Sequence, residues 1–193
     1  NKTIYTQMAN AIKQTLSYFT LGPEYSYENQ GKNLGITPIS DLMGKIVFIA
    51  DKSNPLFEQT ELDEYINLAS NSMFMRALRY TDGLLNSQDQ SELTDFNKKC
   101  MSIILPDLSS SDDNYAPQLA WTTGCQMAAM CFQNFDVNME TYSAYFAKSG
   151  SAFILKPAAL RYIPVTIPDA TQQNPNYSYA NRTTSTDYYS ITI

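Results

Sequence analysis

Asp112 and Asp113 stand side by side in Ser111-Asp112-Asp113-Asn114, and adjacent carboxylates are the first place to look for a hard cation. Calcium takes about six to eight oxygen ligands, and no further ligand pattern surrounds this pair, so a solvated turn accounts for it. Cys100, Cys125 and Cys131 are an odd number without metal-type spacing and read as reduced thiols in a buried setting. Cys125 and Cys131 would share one face of a strand, which is ordinary packing. The chain contains no histidine, so general acid–base chemistry near neutral pH lacks its best-suited side chain. Met73 and Met75 suit an adaptable partner-binding surface, but helix packing accounts for them as well. None of these residues reads as catalytic or metal-ligating.

The elements that must position these groups alternate. Ile4, Met8, Ala11, Ile12, Leu16 and Phe19 recur at helical spacing and predict an amphipathic helix over residues 2–20, ended by Gly22-Pro23, with a loop over 22–43. Residues 44–50 form a short apolar run that suits a parallel strand covered on both faces. A polar connection over 51–59 leads into a helical pattern from Thr60 through Leu62, Tyr65 and Ile66, and another helix is expected from Ser72 through Leu78. Ser91 is placed to cap a helix that ends in Lys98 and Lys99. Further strands are expected at 101–105, 125–132 and 152–155, a turn at 109–114, and a short helix at 141–148. Beyond Pro168 the composition shifts to Gln, Asn, Thr, Ser and Tyr, an exposed linker, before a strand-like run at 188–193. Short apolar strands alternating with helices predict a β/α architecture.

With 193 residues and a hydrophobic fraction of 44%, the chain can bury one core. A net charge of −6 argues against nucleic acid, since no basic patch neutralises phosphates, and weakens adsorption to anionic membranes. No apolar run approaches the roughly 20 residues that span a bilayer, and the first residues lack a signal peptide's apolar core, so a soluble chain is expected. The triplets at Asn1, Asn176 and Asn181 are common by chance in an Asn- and Ser-rich sequence. Fourteen tyrosines and a charged fraction of 17% also suit a subunit buried among neighbours.

One stretch is far more specific. Trp121, Gly124-Cys125-Gln126, Phe132-Gln133, Phe153-Ile154-Leu155-Lys156-Pro157 and Leu160-Arg161 follow one another in order. Upstream stand Gln7-Met8-Ala9, Gly44-Lys45-Ile46-Val47, Ser70-Asn71-Ser72, Arg76-Ala77-Leu78 and Asn114-Tyr115-x-Pro117. Together these segments resemble the Y-box half of eukaryotic-type phosphoinositide-specific phospholipase C, with the end of its X half in front. The resemblance implies an α/β fold, the C-terminal half of a distorted TIM (β/α) barrel, incomplete without the X half. It implies a helix from the end of the X half at 1–21, a connecting loop at 22–43, the Y half at 44–168 and a linker at 169–187. Residues 188–193 would open a following β-sandwich lipid-binding domain.

The family hydrolyses phosphatidylinositol 4,5-bisphosphate to diacylglycerol and inositol trisphosphate, in lipid signalling. The resemblance places its two histidines and its calcium ligands before Asn1, so this chain alone is expected to be non-catalytic and to bind no calcium itself. Of the substrate-binding positions, Ser72 falls at a serine that contacts a ring phosphate. Ser102 falls at an arginine, Ile104 at a tyrosine that stacks on the inositol, and Ile49 and Asp51 at two lysines. Lys45 or Lys52 would take over from those lysines if the register shifts. Leu108 falls on a membrane-facing ridge. Trp121 reads as a core aromatic and Lys156-Pro157 as a strand end. Expected partners are the missing X half or a complementing chain, and a phosphoinositide membrane lipid, at a cytoplasmic, peripheral-membrane location. The alternative is a catalytically inactive relative, a structural or interaction subunit of a large assembly, to which the loss of cationic positions points. A head-group sensor would need a basic pocket that the sequence does not supply.

Overall fold

The computed structural model describes residues 2–29, 31–108, 111–171, 177 and 181–192, in two compact units, Asn1–Tyr162 and Ile163–Ile193. Parts of the predicted 109–114 turn and of the linker, Asn1, Asn176 and Ile193 lie outside the described residues.

In the first unit, α1 (Lys2–Thr15) buries Ala9 and Ile12 against Phe57, Leu62, Ile66 and Ala69. It stops five residues short of the predicted Thr20 because the chain unwinds to pair Thr20 with Ile46 in parallel, the Ile46 amide donating to the Phe19 carbonyl at 2.8 Å. The predicted strand at 44–50 is correspondingly reduced to β1 (Ile49–Ala50), which lies parallel to β2 (Leu68–Ala69). The helix expected from Thr60 is instead two 3₁₀ turns, Pro55–Gln59 and Asp63–Tyr65.

The helix expected at 72–78 is a strand. Met75–Arg79 forms β3, parallel to β4 (Met101–Leu105) over five residues from Met75↔Met101 to Arg79↔Leu105. The apolar spacing there fits either period, and pairing with β4 decides in favour of the strand. A π-helical turn, Tyr80–Leu85, and α2 (Gln90–Lys99) connect the two. Asp89, not Ser91, caps α2 by accepting from the Glu92 amide at 2.9 Å.

After β4 come α3 (Gln118–Thr122), β5 (Met127–Ala128) and α4 (Val137–Ser149). β5 pairs parallel to β4, giving the order β3-β4-β5. Only two residues of the expected 125–132 strand join the ladder, because the Asn114 side chain then captures the Cys131 amide at 2.6 Å and the Asn134 carbonyl at 2.9 Å. α4 begins four residues earlier than expected because Asp136 caps it, and it ends at Gly150 in a left-handed conformation (φ 62°) that favours glycine. The expected strand at 152–155 runs without ladder partners among the described residues, leaving Phe153 and Leu155 exposed.

Two clusters sandwich the β3-β4-β5 sheet. Ile104 and Leu78 pack with Leu84, Leu93, Tyr115, Ala120 and Met139 under the helices. Met75, Met101, Ile103 and Met127 pack with Leu34 and Leu68 on the other face. The architecture is mixed α/β, and strands β1 to β5 pair in parallel. No helix among the described residues is long and apolar enough to cross a membrane.

In the second unit, β6 (Thr183–Ser185) and β7 (Ser190–Thr192) form an antiparallel hairpin, so a strand stands inside the stretch expected to be linker.

Candidate functional site

Ligand sites on parallel sheets collect where strands end, and β1 to β4 each deliver polar groups at their C-terminal ends. After β1, the Asp51 carboxylate accepts from the Ser53 amide at 2.9 Å, the Ser53 hydroxyl at 2.8 Å and the Ser70 hydroxyl at 2.9 Å. These bonds, the Ser53 amide first, hold its pKa below the usual carboxylate value. Ser70 follows β2 and also accepts from the Lys52 amide at 2.8 Å.

Arg79, the last residue of β3, donates to the Pro106 carbonyl at 2.5 Å. Asp107, two residues beyond β4, accepts from the Thr81 amide at 3.1 Å and from the Thr81 hydroxyl, and these bonds lower its pKa. The positive charge of Arg79 contributes to the lowered pKa of both Asp51 and Asp107. The rim therefore carries one cation whose charge acts on two anions, each anion held by hydrogen bonds within the chain. Lys45 and Lys52 are engaged as well, Lys45 with the Tyr18 carbonyl at 3.1 Å and Lys52 with Glu58 at 2.9 Å.

The four residues expected to bind substrate or membrane divide into two pairs. Ser72 lies half-buried in the turn after β2, its amide donating to the Met75 carbonyl at 3.0 Å, and Leu108 is 87% exposed beyond β4. Ser102 and Ile104 have no exposure and share the face of β4 that is turned to the helices. The Ser102 hydroxyl has no hydrogen-bond partner, while the Ile104 carbonyl accepts from the Tyr115 hydroxyl at 3.1 Å. A ligand cannot reach either side chain in this arrangement. Strand alternation gives Ile103 and Leu105 the opposite face, and Ile103 packs there with Met75 and Met127. Ile49 is exposed on β1.

Arg79 does not stand out in the sequence, because a helical reading of 72–78 hides that it ends a strand. A basic residue two positions past the Arg76-Ala77 pair is the only signal, and it becomes meaningful once β3 is recognised.

The most specific motifs converge away from this rim, on the C-terminal end of α2. Gln126 donates to the carbonyls of Asn97 at 2.9 Å and Cys100 at 2.8 Å and accepts from the Ser102 amide at 2.8 Å. Lys156 donates to the same Asn97 carbonyl at 2.9 Å, and the buried Asn97 amide reaches the Thr123 carbonyl at 2.9 Å and Cys125 Sγ at 3.3 Å. Gly124 turns the chain at φ 75°, a conformation few L-residues adopt. Burial lowers the Lys156 pKa and raises that of the Cys125 thiol. Helix carbonyls left without intrahelical partners are thus satisfied by residues far along the chain, a positioning role and not a reactive one. Trp121 is half-buried and stacks on Tyr145 with centroids 4.0 Å apart.

Among the described residues no three His, Cys, Asp or Glu side chains converge as a metal site requires. The donor set does not fit calcium, and Asp112 and Asp113 do not gather further ligands.

Residues 52–159 match the family model for the phosphatidylinositol-specific phospholipase C Y domain. The 1-phosphatidylinositol 4,5-bisphosphate phosphodiesterase beta-2 of Mus musculus is 38% identical over 79 residues, 40% of this chain and 7% of that protein. The beta-1 enzyme of Bos taurus is 34% identical over 108 residues, 54% of this chain and 9% of that protein. The chain thus spans less than a tenth of the length of these relatives. Among solved structures, L. pealei PLC21 superposes with a TM-score of 0.61 at 21% identity, covering 81% of this chain and 25% of that one. S. officinalis PLC21 gives 0.62 at 20% identity with the same coverage. At these identities the structural likeness speaks to fold alone.

Proposed function

This chain belongs to the phosphatidylinositol-specific phospholipase C family as a Y domain, and from that premise we propose that it is half of a distorted TIM barrel within a longer phosphodiesterase. The observation that carries this reading is the Phe153–Lys156 segment, which bears a family motif yet runs extended, exposed and without a strand partner among the described residues. Such an edge is what a barrel strand presents when its neighbour belongs to a part of the protein outside this chain. The X half would be that neighbour.

In this reading residues 1–21 end the X half, 44–168 form the Y half, and the chain beyond leads to a β-sandwich lipid-binding domain. The whole protein would hydrolyse phosphatidylinositol 4,5-bisphosphate at the cytoplasmic face of a membrane. Its histidines and calcium would be supplied by the X half, with Ser72 near the head group and Leu108 against the bilayer. Calcium would stabilise the charge developing on the phosphoryl group. This chain's own part is to shape the groove and to hold the sheet in register.

A second reading, a catalytically inactive relative retained as an interaction subunit of a larger assembly, is favoured by one group of observations. The cationic positions that the resemblance implies are filled by Ser102, which is buried, by Ile49, and by Asp51, tied to Ser53 and Ser70. A charge-assisted hydrogen bond to phosphate is worth about 1.5–3 kcal/mol, so losing several removes most affinity for a bisphosphorylated ring.

The deciding experiment is hydrolysis by the full-length protein of phosphatidylinositol 4,5-bisphosphate in phosphatidylcholine vesicles, with calcium and with a chelator. Calcium-dependent release of inositol trisphosphate supports the enzyme. No release, from a folded protein with a second phospholipase C active in parallel, leaves the inactive relative.

A further inference from the structure

A barrel of parallel strands meets its substrate at their C-terminal ends, so the charges at those ends of β1, β3 and β4 act on the head group that a completed barrel takes. Asp51, Arg79 and Asp107 stand there, all three exposed. The Arg79 charge acts on both carboxylates, and the hydrogen bonds to Ser53 and to Thr81 keep them ionised at neutral pH. Lys45 and Lys52 are bonded elsewhere, to the Tyr18 carbonyl and to Glu58. The sheet face turned from the helices is apolar, with Met75, Met101, Ile103 and Met127 packed together. Two carboxylates against one guanidinium leave this rim negative.

A ring phosphate carries about −1.5 to −2 charges at neutral pH and is held by clustered cations. A ring hydroxyl is neutral and donates to a carboxylate. Asp51 accepts from the Ser53 amide, the Ser53 hydroxyl and the Ser70 hydroxyl, and Asp107 from the Thr81 amide and hydroxyl. A carboxylate has about four acceptor sites, so both side chains can accept again. The rim is thus suited to hydroxyls and set against phosphates.

We infer that this rim selects against ring phosphates, so that the whole protein turns over phosphatidylinositol, whose ring hydroxyls are free, faster than its 4,5-bisphosphate. The inference rests on the half-barrel phosphodiesterase reading and adds specificity to it, with Asp51 and Asp107 as the determinants. The substituted cationic positions are then compatible with an active enzyme, one whose preferred head group has no ring phosphate for them to bind.

The test is the ratio of hydrolysis rates by the full-length protein on the two lipids, each in phosphatidylcholine vesicles brought to the same surface charge with phosphatidylserine, with calcium present. Phosphatidylinositol is expected to lead by about tenfold at low salt, and the lead to narrow as salt screens the exposed carboxylates. Asp51→Lys and Asp107→Asn should shift the ratio toward the bisphosphate by about tenfold and about threefold. Because the ratio is taken within one variant, a partly unfolded sample does not change it. A bisphosphate rate equal to or above the other, or a ratio that neither variant moves, would overturn the inference while leaving the phosphodiesterase reading standing. If neither lipid is cleaved, that reading fails instead, and calorimetric titration with glycerophosphoinositol and its 4,5-bisphosphate decides the selection. Tighter binding of the unphosphorylated head group supports it, and tighter binding of the bisphosphate, or binding of neither, overturns it.

Discussion

Lys156 donates a 2.9 Å hydrogen bond from Nζ to the backbone carbonyl of Asn97, 59 residues earlier in the chain. Gln126 reaches that carbonyl as well, so three distant segments are fastened at the point where α2 hands over to β4. The Gly-Cys-Gln and Lys-Pro motifs thus meet at one carbonyl, away from the strand-end rim.

The two fasteners are unequal, which makes the first prediction. Gln126 makes three hydrogen bonds, and replacing it by leucine leaves the Ser102 amide and the Cys100 carbonyl without partners, at a cost of about 2–4 kcal/mol. Lys156→Met keeps the apolar stem and leaves Asn97 still served by Gln126, while relieving the burial of a charge, so about 1 kcal/mol or less is expected. Thermal melting of the full-length variants should rank Gln126→Leu well below Lys156→Met. The reverse order would mean that the ammonium is the principal fastener.

Ser102 offers a test of which face of β4 is which. Its hydroxyl is buried without a partner, so Ser102→Ala should be neutral or stabilise by up to about 1 kcal/mol. Ser102→Arg, which would introduce the charge that the resemblance implies for that place, should instead destabilise the protein severely by forcing an unpaired charge under the helices. Chemical denaturation measures both. A well-folded Ser102→Arg variant with increased head-group binding would show that this face opens onto the groove.

Much of this could be read from the chain itself, and the failures have physical causes. Strand 101–105 and the helix that ends in Lys98-Lys99 stand as expected, because a continuous apolar run and a capped amphipathic stretch leave little ambiguity. Residues 72–78 read as a helix because Phe74, Ala77 and Leu78 satisfy helical spacing, while the pairing with β4 that makes them a strand is not visible locally. Motif order located β4 but could not orient it. Moving a strand alignment by one residue exchanges its faces, and Ser102 and Ile104 against Ile103 and Leu105 is that exchange.

Acid should act on α4 through its cap. Asp136 accepts from the Asn114 and Met139 amides, both at 2.8 Å, and these bonds hold its pKa below the ordinary value of 3.8. A depressed folded-state pKa contributes stability that is present above the unfolded value and is lost as pH falls through the folded one. Asp136→Asn should therefore lower the melting temperature by a few degrees at neutral pH and flatten its decline below about pH 4. Parallel melting curves for both proteins across that acid range would remove Asp136 as the cause.

Phe153 and Leu155 are 72% and 75% exposed on a segment with no ladder partner among the described residues, and Phe132 and Phe135 are 64% and 69% exposed. An apolar, unpaired edge invites association with other chains, so residues 1–193 expressed alone should aggregate and bind a hydrophobic dye. Phe153→Lys with Leu155→Lys should make that isolated chain more soluble by charging the edge. In the full-length protein the same pair should have the opposite effect, lowering the melting temperature, because both side chains would there be covered by the rest of a completed barrel. Size-exclusion profiles of the isolated chain and melting curves of the whole protein read the two effects separately. If the double variant leaves the whole protein's stability untouched, no strand covers this edge and the half-barrel proposal fails.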